Sequence, residues 1–338
     1  MMKYISKSGM LLVFVVVICC IVFPLLLWVI GQIFFPFQAN GSMLLGKDGK
    51  PAGSKLIAQP FTKDEYFQPR PSAASFNAGA STSSALAASN YALRDRIART
   101  LGPIVKYESG FKAGKPVGPD IEFWFQEDKY QGNPHLVGQW ASMHTSDAVA
   151  WANTDSLHIG YVSDWGTKHP DAVAQYIKSN PGTPQPAASD LAVTFFQVFS
   201  NEHPGKFPSP MPDTGADGKA VTVIKLVSTG GDIQAIFFDM WRNDHPDAAL
   251  QNIPGDMVTT SGSGLDPHIT LQNAEYQIDR VAAKWASDLK RDPIDVRKEV
   301  EEIVQNNASA PFGGLAGEKL VNVLEVNLAL SNLYGAPH

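Results

Sequence analysis

The segment Leu11–Phe35 carries no charged side chain. As a helix rising about 1.5 Å per residue it reaches about 37 Å, enough to cross a hydrocarbon core with some tilt. One helix is therefore committed to a bilayer, and the folded part is expected beyond Pro36. A cleaved signal peptide fits poorly, because its apolar core runs only about 7–15 residues and closes on a small-residue site. Lys3 and Lys7 precede the run, and the next basic residue is Lys47. The positive-inside rule then puts residues 1–10 in the cytoplasm and everything after the span outside. Pro24 is a candidate kink, and Trp28 and Gln32 interrupt a purely lipid-facing stripe.

The 338 residues leave room for one or two domains besides the span. A net charge of −6 with no basic stripe argues against nucleic acid as a partner. Both cysteines, Cys19 and Cys20, fall inside the span, so the outer part holds neither a disulfide nor a thiolate zinc site. Val17 and Ile18 stand where lipidation at Cys19 would want small residues.

The pattern beyond the span predicts an α+β fold. Gly46–Gly53 reads as a turn between two short strands, the second at Lys55–Gln59. Pro71–Ser89, rich in Ala and Ser, reads as a loop. Asn90 can cap a helix with Leu93, Ile97 and Leu101 on one face, stopped by Gly102-Pro103. Residues 105–252 have a different texture and hold Trp124, Trp140, Trp151, Trp165 and Trp241. There Ile121–Phe125 alternates like a strand, and Val221–Ser228 and Ile233–Trp241 flank Gly230-Gly231 as a hairpin would. Pro181–Pro186 and Pro204–Pro212 read as loops. His144-Thr-Ser-Asp, His169-Pro-Asp and His245-Pro-Asp resemble one another as helix starts. Farther on, Thr270 can cap a helix presenting Leu271, Ala274, Ile278, Val281 and Trp285, and Asp292-Pro293 starts another with Val296, Val300 and Ile303 inside. Val321–Leu330 is apolar throughout, and periodicity leaves helix and strand both open.

The densest turn is Ser261-Gly-Ser-Gly-Leu-Asp-Pro-His-Ile-Thr270. Ser263, Asp266 and His268 have the residue types of a hydrolytic triad, but triad members come from separate segments and the nucleophile sits on a Gly-x-Ser-x-Gly elbow. The expectation is a structural turn in which Asp266 accepts backbone N–H groups and Pro267 begins a helix. Seven histidines from His135 to His268 are scattered without His-x-x-x-His spacing, so no metal motif is expected. No phosphate-binding Gly-x-x-x-x-Gly-Lys-Ser/Thr loop occurs, and no phosphorylatable Asp-Lys-Thr-Gly. Trp124 with Glu122, Glu127 and Asp128 could stack on sugar.

Three segments in order resemble the KdpC family, the C subunit of the bacterial Kdp potassium-transporting ATPase. The first runs from the span through Phe35-Pro36, Gln38-Ala-Asn40-Gly41-Ser42, Gly53-Ser54, Ile57 and Gln59. The second holds Tyr66-Phe67, Pro69-Arg70-Pro71-Ser72-Ala73, Asn77-Ala78 and Ser89-Asn90. The third is Ser261-Gly-Ser-Gly264-Leu265-Asp266-Pro267-His268-Ile269, with Ala274, Gln277, Arg280-Val281-Ala282, then Val321-Asn322-Val-Leu-Glu-Val-Asn327-Leu-Ala-Leu330. Ser83-Ser84 and Tyr91 depart from the family pattern without touching these motifs. The resemblance implies an extracytoplasmic mixed α/β domain from residues 36–104 and 253–338, with 105–252 an insert of unassigned role. It implies structural or interaction roles for the motif residues. It further implies a non-catalytic subunit of a potassium-importing translocase in the cell (inner) membrane, stabilising the complex and promoting ATP use. The implied partners are the channel-like potassium-binding subunit KdpA, the P-type ATPase subunit KdpB, the small subunit KdpF and membrane lipid. ATP and potassium belong to the complex, with no cofactor held tightly by this chain. The alternative is an anchored extracytoplasmic enzyme or carbohydrate-binding protein acting through the insert.

Overall fold

The computed structural model describes residues 2–84, 86–87, 90–128, 135–215, 220–315 and 317–335. Ser89 of the second motif lies outside them. The chain forms two compact units: Met1–Ala85 with Ile253–His338, and Leu86–Asn252.

The first unit opens with α1 (Met2–Val17), a π-helical turn at Ile18–Val22, and α2 (Phe23–Phe34). The stretch Ser6–Phe34 is long and apolar enough to cross a membrane, and none of it is buried against the protein. The π turn has a local cause. Pro24 has no N–H for the carbonyl four residues back, and the ladder widens just ahead of it, with the Phe23 N–H reaching Ile18 O. A short α3 (Pro36–Ala39) leads to strands β1 (Met43–Leu45) and β2 (Pro51–Ser54), which pair antiparallel. The second strand thus ends where Lys55–Gln59 was expected to begin it. Lys55 N donates to Ser42 O (2.9 Å) and Leu56 N to Ser54 Oγ (3.1 Å), which turns the chain out of the sheet.

The second unit is mainly helical: α4 (Tyr91–Ile104), α5 (Gly118–Glu127), α6 (Leu136–Met143), α7 (Thr145–Ala152), α8 (Ser156–Lys168), α9 (Pro170–Ser179) and α10 (Ala188–Glu202) precede hairpin β3 (Phe207–Thr214)–β4 (Ala220–Val227) and α11 (Gly231–Asp244). Four sequence expectations are corrected here. Gly102-Pro103 does not stop α4; Gly102 sits where α11 crosses, and a Cβ there would lie 2.0 Å from Gln234 O. Ile121–Phe125 is helical, because Ile121, Trp124 and Phe125 fall at i, i+3 and i+4 and are the buried ones, while Phe123 is exposed. Ile233–Trp241 is helical for the same reason, burying Ile233, Phe237, Phe238 and Trp241. The true partner of β4 is the proline-rich β3. Alternate residues of a strand turn their N–H toward and away from a partner, so Pro208, Pro210 and Pro212 together need give up only outward-facing donors.

The core of this unit is aromatic. Trp140 meets Phe196 edge-on at 5.1 Å and Phe207 at 5.7 Å, and Phe125 lies 4.5 Å from Phe237. The three similar histidines prove to be helix ends as much as starts. His144, His169 and His245 share one backbone conformation, with φ of −119°, −123° and −124°. Each N–H donates to the carbonyl of a tryptophan four residues back. His144 and His169 also open α7 and α9, whereas His245 leads into a turn.

The chain returns to the first unit through α12 (Gly255–Val258), β5 (His268–Thr270), α13 (Leu271–Leu289), α14 (Pro293–Asn307), β6 (Ala308–Ser309), β7 (Leu320–Asn322) and α15 (Val323–Tyr334). Sheet order is β5-β7-β6, all antiparallel. Thr270 caps α13 by accepting Asn273 N, and Asp292 caps α14, as their sequences predict. The apolar 321–330 run is both things in turn, strand to Asn322 and helix after it. Ile278, Val281, Trp285, Val296, Val300, Val321, Val326 and Leu330 form the core around a fully buried Phe67.

Candidate functional site

The first motif fixes how the apolar helix leaves for the sheet. Gly41 and Ser42 both adopt positive φ (82° and 52°), and Ser42 is buried. Ser42 N donates to Phe37 O (2.9 Å), Gly41 N to Gln38 O (3.1 Å) and Ser54 Oγ to Gly41 O (2.7 Å). Asn40 Nδ2 donates to Pro36 O (2.7 Å) and to Gln32 Oε1 (3.3 Å). The Gln38 side chain is exposed.

The second and third motifs come together. The 261–268 turn offers one carbonyl after another to different segments. Ser263 O accepts from Thr82 N (3.0 Å) and Ser81 Oγ (3.1 Å), Leu265 O from Ala58 N (2.8 Å), and Pro267 O from Val323 N (3.0 Å). Ser72 Oγ donates to Gly264 O and accepts from Ala74 N and Phe76 N. Arg70 Nη2 donates to Thr260 O (3.1 Å), with Nη1 4.0 Å from Asp266 Oδ2. Pro71 joins these two anchors. Ser261 is buried, and its carbonyl takes the Gly264 N–H. Asp266 accepts from His268 N and faces His268 Nδ1, both at 3.0 Å, which holds its carboxyl below the usual range; Arg70 adds to this. Pro267 leads into strand β5, which begins at His268, and not into a helix; Asp266 ties down the N–H of His268 as the chain enters the sheet.

A second group of motif side chains clamps an irregular stretch, residues 63–68, onto α13 and α15. Asn327 Oδ1 accepts Phe67 N (2.8 Å) while its Nδ2 donates to Phe67 O (2.9 Å). Gln277 does the same to Gln68 (2.8 and 3.1 Å). Arg280 donates to the carbonyls of Asp64 (2.8 Å) and Tyr66 (3.0 Å). Asn322 caps α15 through Leu324 N and Glu325 N and donates to Lys55 O (2.8 Å). Each amide replaces the strand neighbour that this backbone lacks.

Chemically the arrangement is a junction. Ser263 Oγ accepts Leu265 N at 3.1 Å, a local turn bond in place of a nucleophile's base. What the turn shows to its surroundings is Arg70, Asp266 and His268, whose side chains are 26 %, 39 % and 35 % exposed. Sequence reasoning missed two supports. Lys55 pairs with Glu325 at 2.6 Å, and Trp285 Nε1 donates to Glu65 O at 2.8 Å; no local pattern marks either. The suggested sugar platform does not form. Trp124 is buried and its N–H goes to Asp244, and Trp140, Trp165 and Trp241 are core residues.

The chain matches the family model described as KdpC: K+-transporting ATPase, c chain, over residues 5–121 and 233–332. Both motif clusters lie in these stretches. A Clostridium botulinum (strain Alaska E43 / Type E3) potassium-transporting ATPase KdpC subunit is 46 % identical over 95 residues, covering 28 % of this chain and 43 % of the relative. A Pseudomonas aeruginosa PAO1 namesake is 51 % identical over 79 residues, again 43 % of its length. These strong local alignments thus span less than half of the relatives. A Clostridium kluyveri KdpC subunit aligns over 98 % of this chain and 95 % of its own at 24 % identity. With more than half of its residues matched by the family model, the chain belongs to the KdpC family.

Proposed function

We propose that the protein is a non-catalytic subunit of an ATP-driven potassium importer, anchored by its N-terminal helix with both folded units outside. The family match supports this reading most directly, and the motif residues in the matched stretches build a junction and clamps. The orientation rests on Lys3 and Lys7 ahead of the helix and the absence of basic residues before Lys47. With ATP in the cytoplasm, the 261–268 turn cannot touch nucleotide. Promotion of ATP use then operates through coupling between conformational states of the pump. The partners are a channel-like subunit, a P-type ATPase subunit and a small subunit, the exposed Arg70–Asp266–His268 edge being the proposed contact. A reporter active only in the cytoplasm, fused at the C-terminus, is expected to stay silent in cells; a bright signal would reverse the orientation.

A second test separates the matched stretches from residues 122–232. The ends of that unmatched stretch meet: Gly230 N donates to Glu122 Oε1 at 2.7 Å, and Gln234 Nε2 donates to the same oxygen at 2.7 Å. Closing such a gap with a few residues costs little entropy. A chain in which 123–229 are replaced by a short Gly/Ser linker is expected to fold and to co-purify with the ATPase subunit. Loss of co-purification by a shortened chain that still melts cooperatively would move the docking surface into the excised stretch.

A further inference from the structure

In the second unit three helix ends are built alike, a tryptophan followed four residues later by a histidine whose N–H closes the helix. At two of them the imidazole also turns back on the helix. Nδ1 of His169 lies 2.9 Å from Trp165 O and that of His245 2.8 Å from Trp241 O, and both rings stack on the indole at 4.8 and 4.7 Å. His144 has the same backbone but not the same ring placement. Its Nδ1 faces Asp95 of α4, at 3.4 Å. That spacing is unusual in this molecule. The pairs His135–Asp128, His158–Asp155, His169–Glu202 and His268–Asp266 all close to between 2.7 and 3.0 Å. A His–carboxylate hydrogen bond is expected at that shorter distance. Two ligands of a tetrahedral ion, each about 2.0–2.1 Å from it, instead stand about 3.3 Å apart.

Asp147, in the first turn of α7, completes the group. Ligand atoms of Asp95, His144 and Asp147 all lie within 4.8 Å of one another. Arg99 holds Asp147 by Oδ2 at 2.7 Å, which leaves Oδ1 for a further partner. Arg94 pairs with Asp239 at 2.8 Å, and Arg96 lies with Arg99 along the pocket beside Asp95 and Asp147. Asp95 and His144 border an open cleft of about 690 Å³ that Met143, Ser146 and Asn243 also line, room for a water or a fourth ligand, while Asp147 lines an adjoining pocket with Asp95 and Ser146.

We propose that Asp95, His144 and Asp147 bind one divalent transition-metal ion of the zinc class. One imidazole and two carboxylates suit such an ion, and three protein ligands leave a position open to the cleft. The motif search could not find this set, because the ligands come from two elements and do not share a helix face.

The test uses the tag-free full chain in detergent, titrated with Zn²⁺ against a chromophoric chelator and with Co²⁺ followed by its visible ligand-field band. One saturable site is expected, with a tetrahedral Co²⁺ spectrum. His144→Ala and Asp95→Asn are expected to weaken binding about 10–100-fold or more, and His268→Ala to leave it unchanged. Circular dichroism confirms that each variant keeps its helices, and Asp95→Asn guards against a packing defect peculiar to His144→Ala. Absence of saturable binding in the parent chain, or parental affinity in both site variants, would overturn the proposal.

Discussion

Asn327→Leu is expected to destabilise the first unit by about 2–6 kcal/mol. The substitution keeps roughly the same volume, so its effect is almost wholly one of hydrogen bonding. Asn327 is buried, and so is Phe67, whose N–H and C=O it satisfies at 2.8 and 2.9 Å. Leucine leaves both backbone groups without a partner in a dry core, and each orphan costs about 1–3 kcal/mol. Residues 63–68 have no strand neighbour to fall back on. Gln277 and Arg280 grip the adjoining carbonyls, so the loss should spread along the stretch. The measurement is hydrogen exchange of the 64–70 amides in the full chain, alongside its melting temperature. Protection of Phe67 and Gln68 should collapse, while Leu333→Ala on the exposed side of α15 should leave it intact. A leucine variant within about 0.5 kcal/mol of the parent would show that the amide clamp is dispensable.

That clamp illustrates where sequence reasoning reaches and where it stops. The helices α13 and α14 were legible because caps and apolar spacing are local: Thr270, Asp292 and the i, i+4 series speak for themselves. The order of the three motifs was legible too, and it carried the family. The contacts among them were not. Asn327 and Phe67 stand 260 residues apart and Gln277 and Gln68 209, so nothing nearby says what those amides hold. The second unit misled more often. Ile-Glu-Phe-Trp-Phe alternates as a strand does, yet packing chose Ile121, Trp124 and Phe125 as the inner face. The spaced prolines of β3 read as a loop, because the rule that excludes proline from strands holds only for donors facing a partner. The three similar histidine segments carried a real signal: His144 and His169 do open helices, as their sequences predict, but all three histidines also close a helix on a tryptophan four residues back, and His144 departs from the other two only through the placement of its ring.

Gly264→Ala is the sharpest probe of the turn itself, because a neighbouring glycine serves as its control. Gly264 sits at φ +70°, a conformation that costs an L-residue about 1–2 kcal/mol. A Cβ there would lie 2.8 Å from Thr82 O, 2.9 Å from Ala74 N and 2.9 Å from Ala74 Cβ. None of these is the free end of a flexible side chain. Thr82 is pinned by its N–H to Ser263 O, and Ala74 by its N–H to Ser72 Oγ, so relief requires the second motif to part from the third. Forced overpacking of this kind adds about 1–3 kcal/mol. A total cost of about 2–5 kcal/mol is expected, with Ser72 released from Gly264 O and the 70–82 segment opened to protease. Gly262, two residues earlier, has nothing within 4 Å of its Cβ position and an ordinary φ, so Gly262→Ala should behave as the parent. Limited proteolysis and co-purification with the ATPase subunit read out both consequences. If the turn is the junction described here, Gly264→Ala loses both protease resistance and partner while Gly262→Ala keeps them. Equal behaviour of the two variants would mean that the close approach of the motifs at Gly264 does not hold this unit together.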